Sequence, residues 1–365
     1  MEHLKDTGLV NRGCLARLKA AMKRAWNGEN LTIAFLGGSI TQGSAASDDE
    51  NCYAFLTWKW WQDKFHQSGM TYINAGIGGT DSLLGGARAR EDVLSKGPDV
   101  IFVDFSVNDK ADEFYQETFE GLLRRLYFHE SRPAVVVLNN VFYDTGHSAQ
   151  DYHNEAAARY GIPCVSARES IYRKMNQGLY QVRDLTADFL HPSDLGHRLL
   201  AGELTGFLEE VWEDRDTQEE EQPDPGPLTA NAYQNTVRYQ NENSSPFLEG
   251  FQKDERPKAG YYDHFKQGWT GKRAGARITF WIRCGNLAVQ YRKSVRQGAP
   301  AARITVDGKE RDILDGNFEE TWGDCLYLQP VLHHEENCLH EIVIEIVKEA
   351  EQEGEPFYLM SLICA

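Results

Sequence analysis

The chain of 365 residues predicts two regions of different class. The first, residues 1–215, is an α/β region built on a doubly wound parallel sheet. The second, residues 231–365, is a smaller β-sandwich of jelly-roll kind. Three observations predict this. Up to about residue 212, apolar β-branched runs of the sort buried in parallel sheets alternate with amphipathic helical segments. Residues 216–230 then open with DTQEEEQPDPGP, acidic and proline-rich, which reads as a linker. Beyond it, short strands follow one another with turn signals between them.

The elements follow in order. Leu15, Leu18, Ala21 and Met22 recur at helical spacing within Cys14–Trp26. Leu31-Thr32-Ile33-Ala34-Phe35-Leu36 is an apolar strand that runs into Gly37, Gly38 and Ser39. A serine at the carboxyl end of such a strand stands where open α/β sheets carry their chemistry. It reads either as a nucleophile or as a helix N-cap. The surrounding residues do not form G-x-S-x-G, because position 41 is Thr, so an α/β-hydrolase elbow is excluded. Asn51–Phe65 is an aromatic-rich helix whose ring stripe reads as core.

Thr71–Asn74 is a second strand, followed by the glycine-rich loop Ala75–Thr80. The loop lets backbone N–H groups approach a ligand, but its spacing matches no phosphate-binding motif. A helix over Ala87–Leu94 precedes the strand Asp99–Phe105, which ends in Ser106-Val107-Asn108-Asp109. Helix Phe114–Phe128, strand Ala134–Leu138, helix Asp151–Tyr160 and strand Ile162–Val165 continue the alternation. A last amphipathic helix, Asp194–Trp212, closes the region. In the second region Ala276–Ile282, Leu287–Tyr291, Ala302–Val306, Cys325–Leu328, Glu341–Ile346 and Pro356–Ile363 read as strands, with Asp307-Gly308 as a hairpin turn.

Composition bounds the function. A net charge of −17 argues against nucleic acid or an anionic membrane as partner. The opening MEHLKDTGLV has no apolar core and is not a secretory signal, and no apolar run reaches the length of a membrane span. The seven cysteines are scattered and form no C-x-x-C pair, which predicts reduced thiols in a cytoplasmic protein and no zinc site. His333-His334 could suggest a metal, but no carboxylate or cysteine frame at ligand spacing supports one.

Asp188 and His191, three residues apart in Asp188-Phe189-Leu190-His191-Pro192, can supply a base and the carboxylate that orients it. Pro192 restricts His191 to extended or turn backbone. Among the competing histidines, His197 reads as a surface or cap residue, and His129, His147 and His153 follow no strand in the right way. The joint pattern carries the weight: GGSIT around Ser39, NAGIGGT around Gly79, SVND around Asn108 and DFLHP at the end. With these blocks, residues 30–212 resemble the SGNH (GDSL-type) hydrolase family. Gly38 stands where the family name has Asp, Ile40 where it has Leu, and Ser106 where Gly is usual. GGSIT is similar to the variant of carbohydrate esterases within that superfamily.

The resemblance implies a flavodoxin-like α/β/α layering and a serine esterase, which needs neither a metal nor an organic cofactor. Ser39 would be the nucleophile, His191 the general base and Asp188 its orienting carboxylate. The backbone N–H groups of Ser39 and Gly79 and the side-chain amide of Asn108 would form the oxyanion hole. The second region resembles β-sandwich carbohydrate-binding modules, of the family 35 kind. The whole layout is similar to intracellular mannan-oligosaccharide acetyl esterases, which implies acetylated manno-oligosaccharide as substrate, the 2-O-acetyl of mannose included. No apolar lid-like insertion favours long-chain lipid. Trp269, Trp281 and Trp322 are the aromatics of the second region considered for stacking on a sugar. Trp281 alternates within a strand and reads as core, whereas Trp322 lies in a turn-rich loop and is the favoured sugar contact. An arylesterase or acyl thioesterase with a structural β region, and a non-catalytic sugar-binding protein, are the rival classes. The sequence leaves the sugar backbone, the acetylated position and the oligomeric state open, a homo-oligomer included.

Overall fold

The computed structural model describes residues 8–259, 263–320, 322–352 and 355–365. Residues 1–7, on which part of the signal-peptide expectation rests, lie outside them. The chain forms two compact units that divide between Gln234 and Asn235.

In the first unit, strands β1 (Leu9–Asn11), β2 (Leu31–Gly37), β3 (Met70–Gly76), β4 (Val100–Asp104), β5 (Ala134–Asn139) and β6 (Cys164–Ser166) form one sheet in the order β1-β6-β5-β4-β2-β3. Strands β2 to β6 pair parallel, and β1 joins the β6 edge antiparallel. The helices are α1 (Ala16–Trp26), α2 (Ser39–Gln42), α3 (Tyr53–Lys64), α4 (Ser82–Asp92), α5 (Glu113–Tyr127), α6 (Gln150–Arg159), α7 (Arg173–Asn176), α8 (Val182–Leu185) and α9 (Asp194–Glu213).

Why the strands read as unbroken apolar runs is now visible. Ile33, Phe35, Val100, Phe102, Val136 and Leu138 pack with residues of α1, α3 and α9. Their neighbours Ala34, Leu36, Ile101, Val103, Val135 and Val137 pack with residues of α4, α5 and α6. Alternate side chains enter opposite helical layers, so neither strand face needs polar residues. The winding reverses at β2, which lies between β3 and β4. Such a reversal opens a crevice beyond the strand carboxyl ends, and Ser39 and Asn108 follow the two strands that border it.

Some local readings shift. The fourth helix begins at Ser82, earlier than the periodicity predicts, because Asp81 caps it by accepting from the Leu84 amide at 3.0 Å. Gly85 and Gly86 disguise that start in the sequence. The stretch 216–230, read as a linker, is fastened along the first unit. Glu219 pairs with Lys19 at 2.7 Å and Arg12 at 2.8 Å, Glu221 with Arg17 at 2.8 Å, and Asp224 takes Arg124 bidentately at 2.7 and 2.9 Å. The acidic residues that suggest a solvated tether are the ones that bind it down.

The second unit is an antiparallel sandwich. Its strands are β7 (Val237–Tyr239), β8 (Phe247–Glu249), β9 (Phe251–Lys253), β10 (Trp269–Gly271), β11 (Arg277–Cys284), β12 (Leu287–Lys293), β13 (Ala301–Val306), β14 (Lys309–Asp315), β15 (Cys325–Leu332), β16 (Cys338–Lys348) and β17 (Phe357–Cys364). One sheet runs β15-β12-β17-β10-β9, with β7 also paired to β17, and the other runs β14-β13-β16-β11-β8. Ile278, Phe280, Ile304, Ile342, Ile344, Val289 and Leu359 fill the space between the sheets. Asp307 and Gly308 join β13 to β14 with φ of 51° and 74°, as a tight hairpin turn requires. Trp281 departs from its expected core position and is 55% exposed. It sits opposite Glu341, and the inward positions of β11 are its neighbours Phe280 and Ile282. Of the three tryptophans of this unit, Trp269 is the one that is buried.

Candidate active site

Ser39 opens the one-turn helix α2 directly after β2, with Gly38 between them. Its Oγ lies 2.8 Å from His191 Nε2, and His191 Nδ1 lies 2.7 Å from Asp188 Oδ2. The three side chains form one hydrogen-bonded line. Ser39 is 8% exposed, so its hydroxyl is reachable but held in place.

The segment between α8 and α9 is built around Asp188. Its Oδ1 accepts from the amides of Leu190 at 3.0 Å and His191 at 2.8 Å and from the Thr186 hydroxyl at 3.1 Å, while Oδ2 takes the His191 ring. Thr186 bridges to Pro192, and the Tyr143 amide donates to the Phe189 carbonyl at 2.7 Å. Phe189 is held at φ 65°, a conformation a bulky residue adopts only when its surroundings impose it. Partial burial pushes the Asp188 carboxyl up, but the hydrogen bonds from the His191 ring and from the His191 and Leu190 amides prevail and hold it at about 2. The carboxylate is therefore ionised throughout the range in which an imidazole exchanges protons, which fixes the ring orientation and favours a proton arriving at Nε2.

Two further loops reach the serine. A Cβ placed on Gly38 would lie 2.2 Å from Asn108 Oδ1, so the Asn108 carboxamide occupies the space that glycine leaves free. This contact explains why Gly stands before the serine. On the other side, a Cβ on Gly78 would lie 3.6 Å from Ser39 Cβ, and the Gly78 amide donates to Gln42 Oε1 at 2.6 Å. Gly79 follows at φ 68°, a left-handed turn that glycine makes without strain. The sequence blocks at Ser39, Gly79, Asn108 and His191 thus converge on one rim of the sheet.

Several supports were not legible beforehand. Arg88 of α4, fully buried, donates to the carbonyls of Ala75 at 2.7 Å and Gly37 at 3.0 Å, tying the ends of β3 and β2. The Ser106 hydroxyl, at the position where the family has Gly, bonds Asp104 Oδ1 at 3.0 Å and receives the Asn140 amide at 2.7 Å, joining the ends of β4 and β5. His197, read as a surface or cap residue, is buried, and its Nδ1 receives the amide of Tyr53, the first residue of α3, at 3.3 Å. Burial pushes its imidazole down to about 4, so it serves as a neutral packing group. Trp322 lies in the second unit, 58% exposed, with its Nε1–H donating to Glu320 Oε2 at 2.6 Å and its ring edge-on to Phe318.

Residues 35–199 match the GDSL-like lipase/acylhydrolase family. Over nearly the whole chain, the fold is also that of a crystallised two-domain esterase (CEX) active on acetylated mannans. The identity is 46%, with 98% of this chain and 97% of that one covered and a TM-score of 0.95. The chain belongs to the GDSL-like acylhydrolase family. A second structure of a two-domain esterase of that description, co-crystallised with mannopentaose, matches at 46% identity over 98% of this chain and 96% of that chain, with a TM-score of 0.94. An acetylxylan esterase of Geobacillus stearothermophilus is 27% identical over 214 residues, 50% of this GDSL-like chain and 95% of that protein. Among the described residues, no helix is long and apolar enough to cross a membrane.

Proposed function

We propose that this acylhydrolase removes O-acetyl groups from acetylated manno-oligosaccharides through an acyl-enzyme on Ser39. The observation that carries the reading is the Ser39–His191–Asp188 line at 2.8 and 2.7 Å, placed against the Gly78-Gly79 loop and the Asn108 amide. Ser39 Oγ attacks the acetyl carbonyl as His191 Nε2 takes its proton. The oxyanion that develops receives hydrogen bonds from the Ser39 and Gly79 amides and from the Asn108 side chain. His191 returns the proton to the sugar oxygen, which leaves as the hydroxyl. Water then attacks the acetyl-enzyme with His191 again as base, releasing acetate and restoring Ser39.

The mannan substrate class is supported by the 46% identity, across both units, to the esterase active on acetylated mannans. We read the second unit as a carbohydrate-binding module and Trp322 as a sugar-stacking residue, on its exposure and its loop position. The seven free thiols support residence in a reducing compartment such as the cytoplasm. The deciding experiment is mass spectrometry of acetate release from acetylated mannan, xylan and pectin oligosaccharides, alongside an aryl acetate and an acyl thioester. Preferred release from mannan, abolished by Ser39→Ala, is expected. Preference for the aryl acetate or the thioester, with none for any oligosaccharide, would overturn the sugar assignment. Activity surviving Ser39→Ala would overturn the mechanism.

A further inference from the structure

We propose that Asp109 and His153 are positioning residues for the oxyanion pocket: one buried carboxyl, backed by one buried imidazole, sets the spacing between the Asn108 amide and the Gly79 loop. This rests on the pocket roles given above to Asn108 and Gly79.

Asp109 adjoins Asn108, and the amides of both donate to the Phe105 carbonyl, at 2.9 and 3.0 Å, in the turn that ends β4. Its Oδ1 accepts from the Ser82 amide at 2.8 Å, and Ser82 opens α4 three residues after Gly79. Its Oδ2 lies 3.0 Å from His153 Nε2, on α6. One carboxyl therefore bridges the two loops that carry pocket donors and anchors both to a third element. The His153 ring is fully buried and lies flat on Phe119, with centroids 3.6 Å apart and planes 7° from parallel. Its Nδ1 has no hydrogen-bond partner among the described residues, so the bond to Asp109 is its polar contact.

Burying such a pair is less favourable than burying apolar groups of the same shape, which points away from stability as its purpose. Burial pushes the Asp109 carboxyl up and the His153 imidazole down, which favours the uncharged form of each, hydrogen-bonded between Oδ2 and Nε2. A neutral pair also leaves the neighbouring pocket free of a charge that would oppose a developing oxyanion.

The test is a double-mutant cycle on aryl acetate hydrolysis, with melting temperatures confirming that each variant folds. Asp109→Asn is expected to lower kcat about ten- to a hundredfold, as a misplaced catalytic group does, with KM within about twofold. In an Asn108→Ala background it should lower kcat several-fold less than it does alone, because one of the two donors it positions is gone. Equal losses in both backgrounds, or full activity in folded Asp109→Asn, would overturn the proposal. His153→Leu, which removes the partner of Oδ2 and keeps an apolar side chain against Phe119, carries the same cycle if Asp109→Asn does not fold. A silent Asn108→Ala would remove the oxyanion assignment and the proposal with it, and the single variant reads that result alone.

Discussion

At the scale of single residues, the site depends on where a few atoms are kept from going. Asn108 presents its carboxamide beside the serine because Gly38 has no Cβ to displace it. Asn108→Ala should lower kcat on an aryl acetate by about 100- to 1000-fold with little change in KM, the usual loss for one oxyanion donor. Steady-state kinetics on the purified variant will read it. Gly38→Ala should reproduce part of that loss with Asn108 intact, about tenfold or more in kcat, because its methyl group would drive the carboxamide away. A crystal structure of the variant would show the Asn108 side chain turned. Trp322 belongs to a different kind of prediction. Trp322→Ala should lower kcat/KM on acetylated manno-oligosaccharides by about tenfold, the scale of one lost stacking contact, while leaving aryl acetate hydrolysis unchanged. Equal losses on both substrates would count against a sugar-stacking role.

Among the elements, the acidic strap after α9 is the least expected. Glu219 receives Lys19 and Arg12 and also accepts from the Leu15 amide at 2.9 Å, where a carboxylate suits the positive end of α1. Partial burial pushes its carboxyl up, but these partners outweigh burial and hold it at about 2. Because this is below the unfolded value of about 4.3, the stabilisation is complete above about pH 4.3 and is lost as pH falls towards 2. Hydrogen exchange at pH 3 should show the strap and the first turn of α1 opening before the sheet does. Glu219→Gln leaves the nearly buried Lys19 with Asp214 as its acidic partner and should reduce stability by about 1–2 kcal/mol in urea titration at pH 7.

At the scale of the whole molecule, each unit has a core of its own. A fragment of residues 1–234 should therefore fold cooperatively and hydrolyse an aryl acetate. A fragment ending at 215 should unfold at a markedly lower temperature, since it loses the acids that pair with Arg17, Lys19 and Arg124. Calorimetry of the two fragments tests where the first domain ends.

The alternation of strands and helices, the change of pattern in the second region and the blocks at Ser39, Gly79, Asn108 and His191 are all legible along the chain. Each is a local matter of periodicity, glycine conformation or neighbouring chemistry. Trp281 marks the limit: alternation identifies its strand, but which parity faces inward depends on the opposing sheet. The strap marks it again, for DTQEEEQPDPGP is solvated or bound according to whether basic residues some 200 positions earlier lie beneath it. The hydrogen bond joining Ser39 to His191 spans 152 residues, and the contact of Asp109 with His153 spans 44. Which chemical groups the strand ends carry is written locally along the chain. That those ends meet is a property of the folded layers, because distances between remote side chains are set by the packing of everything between them.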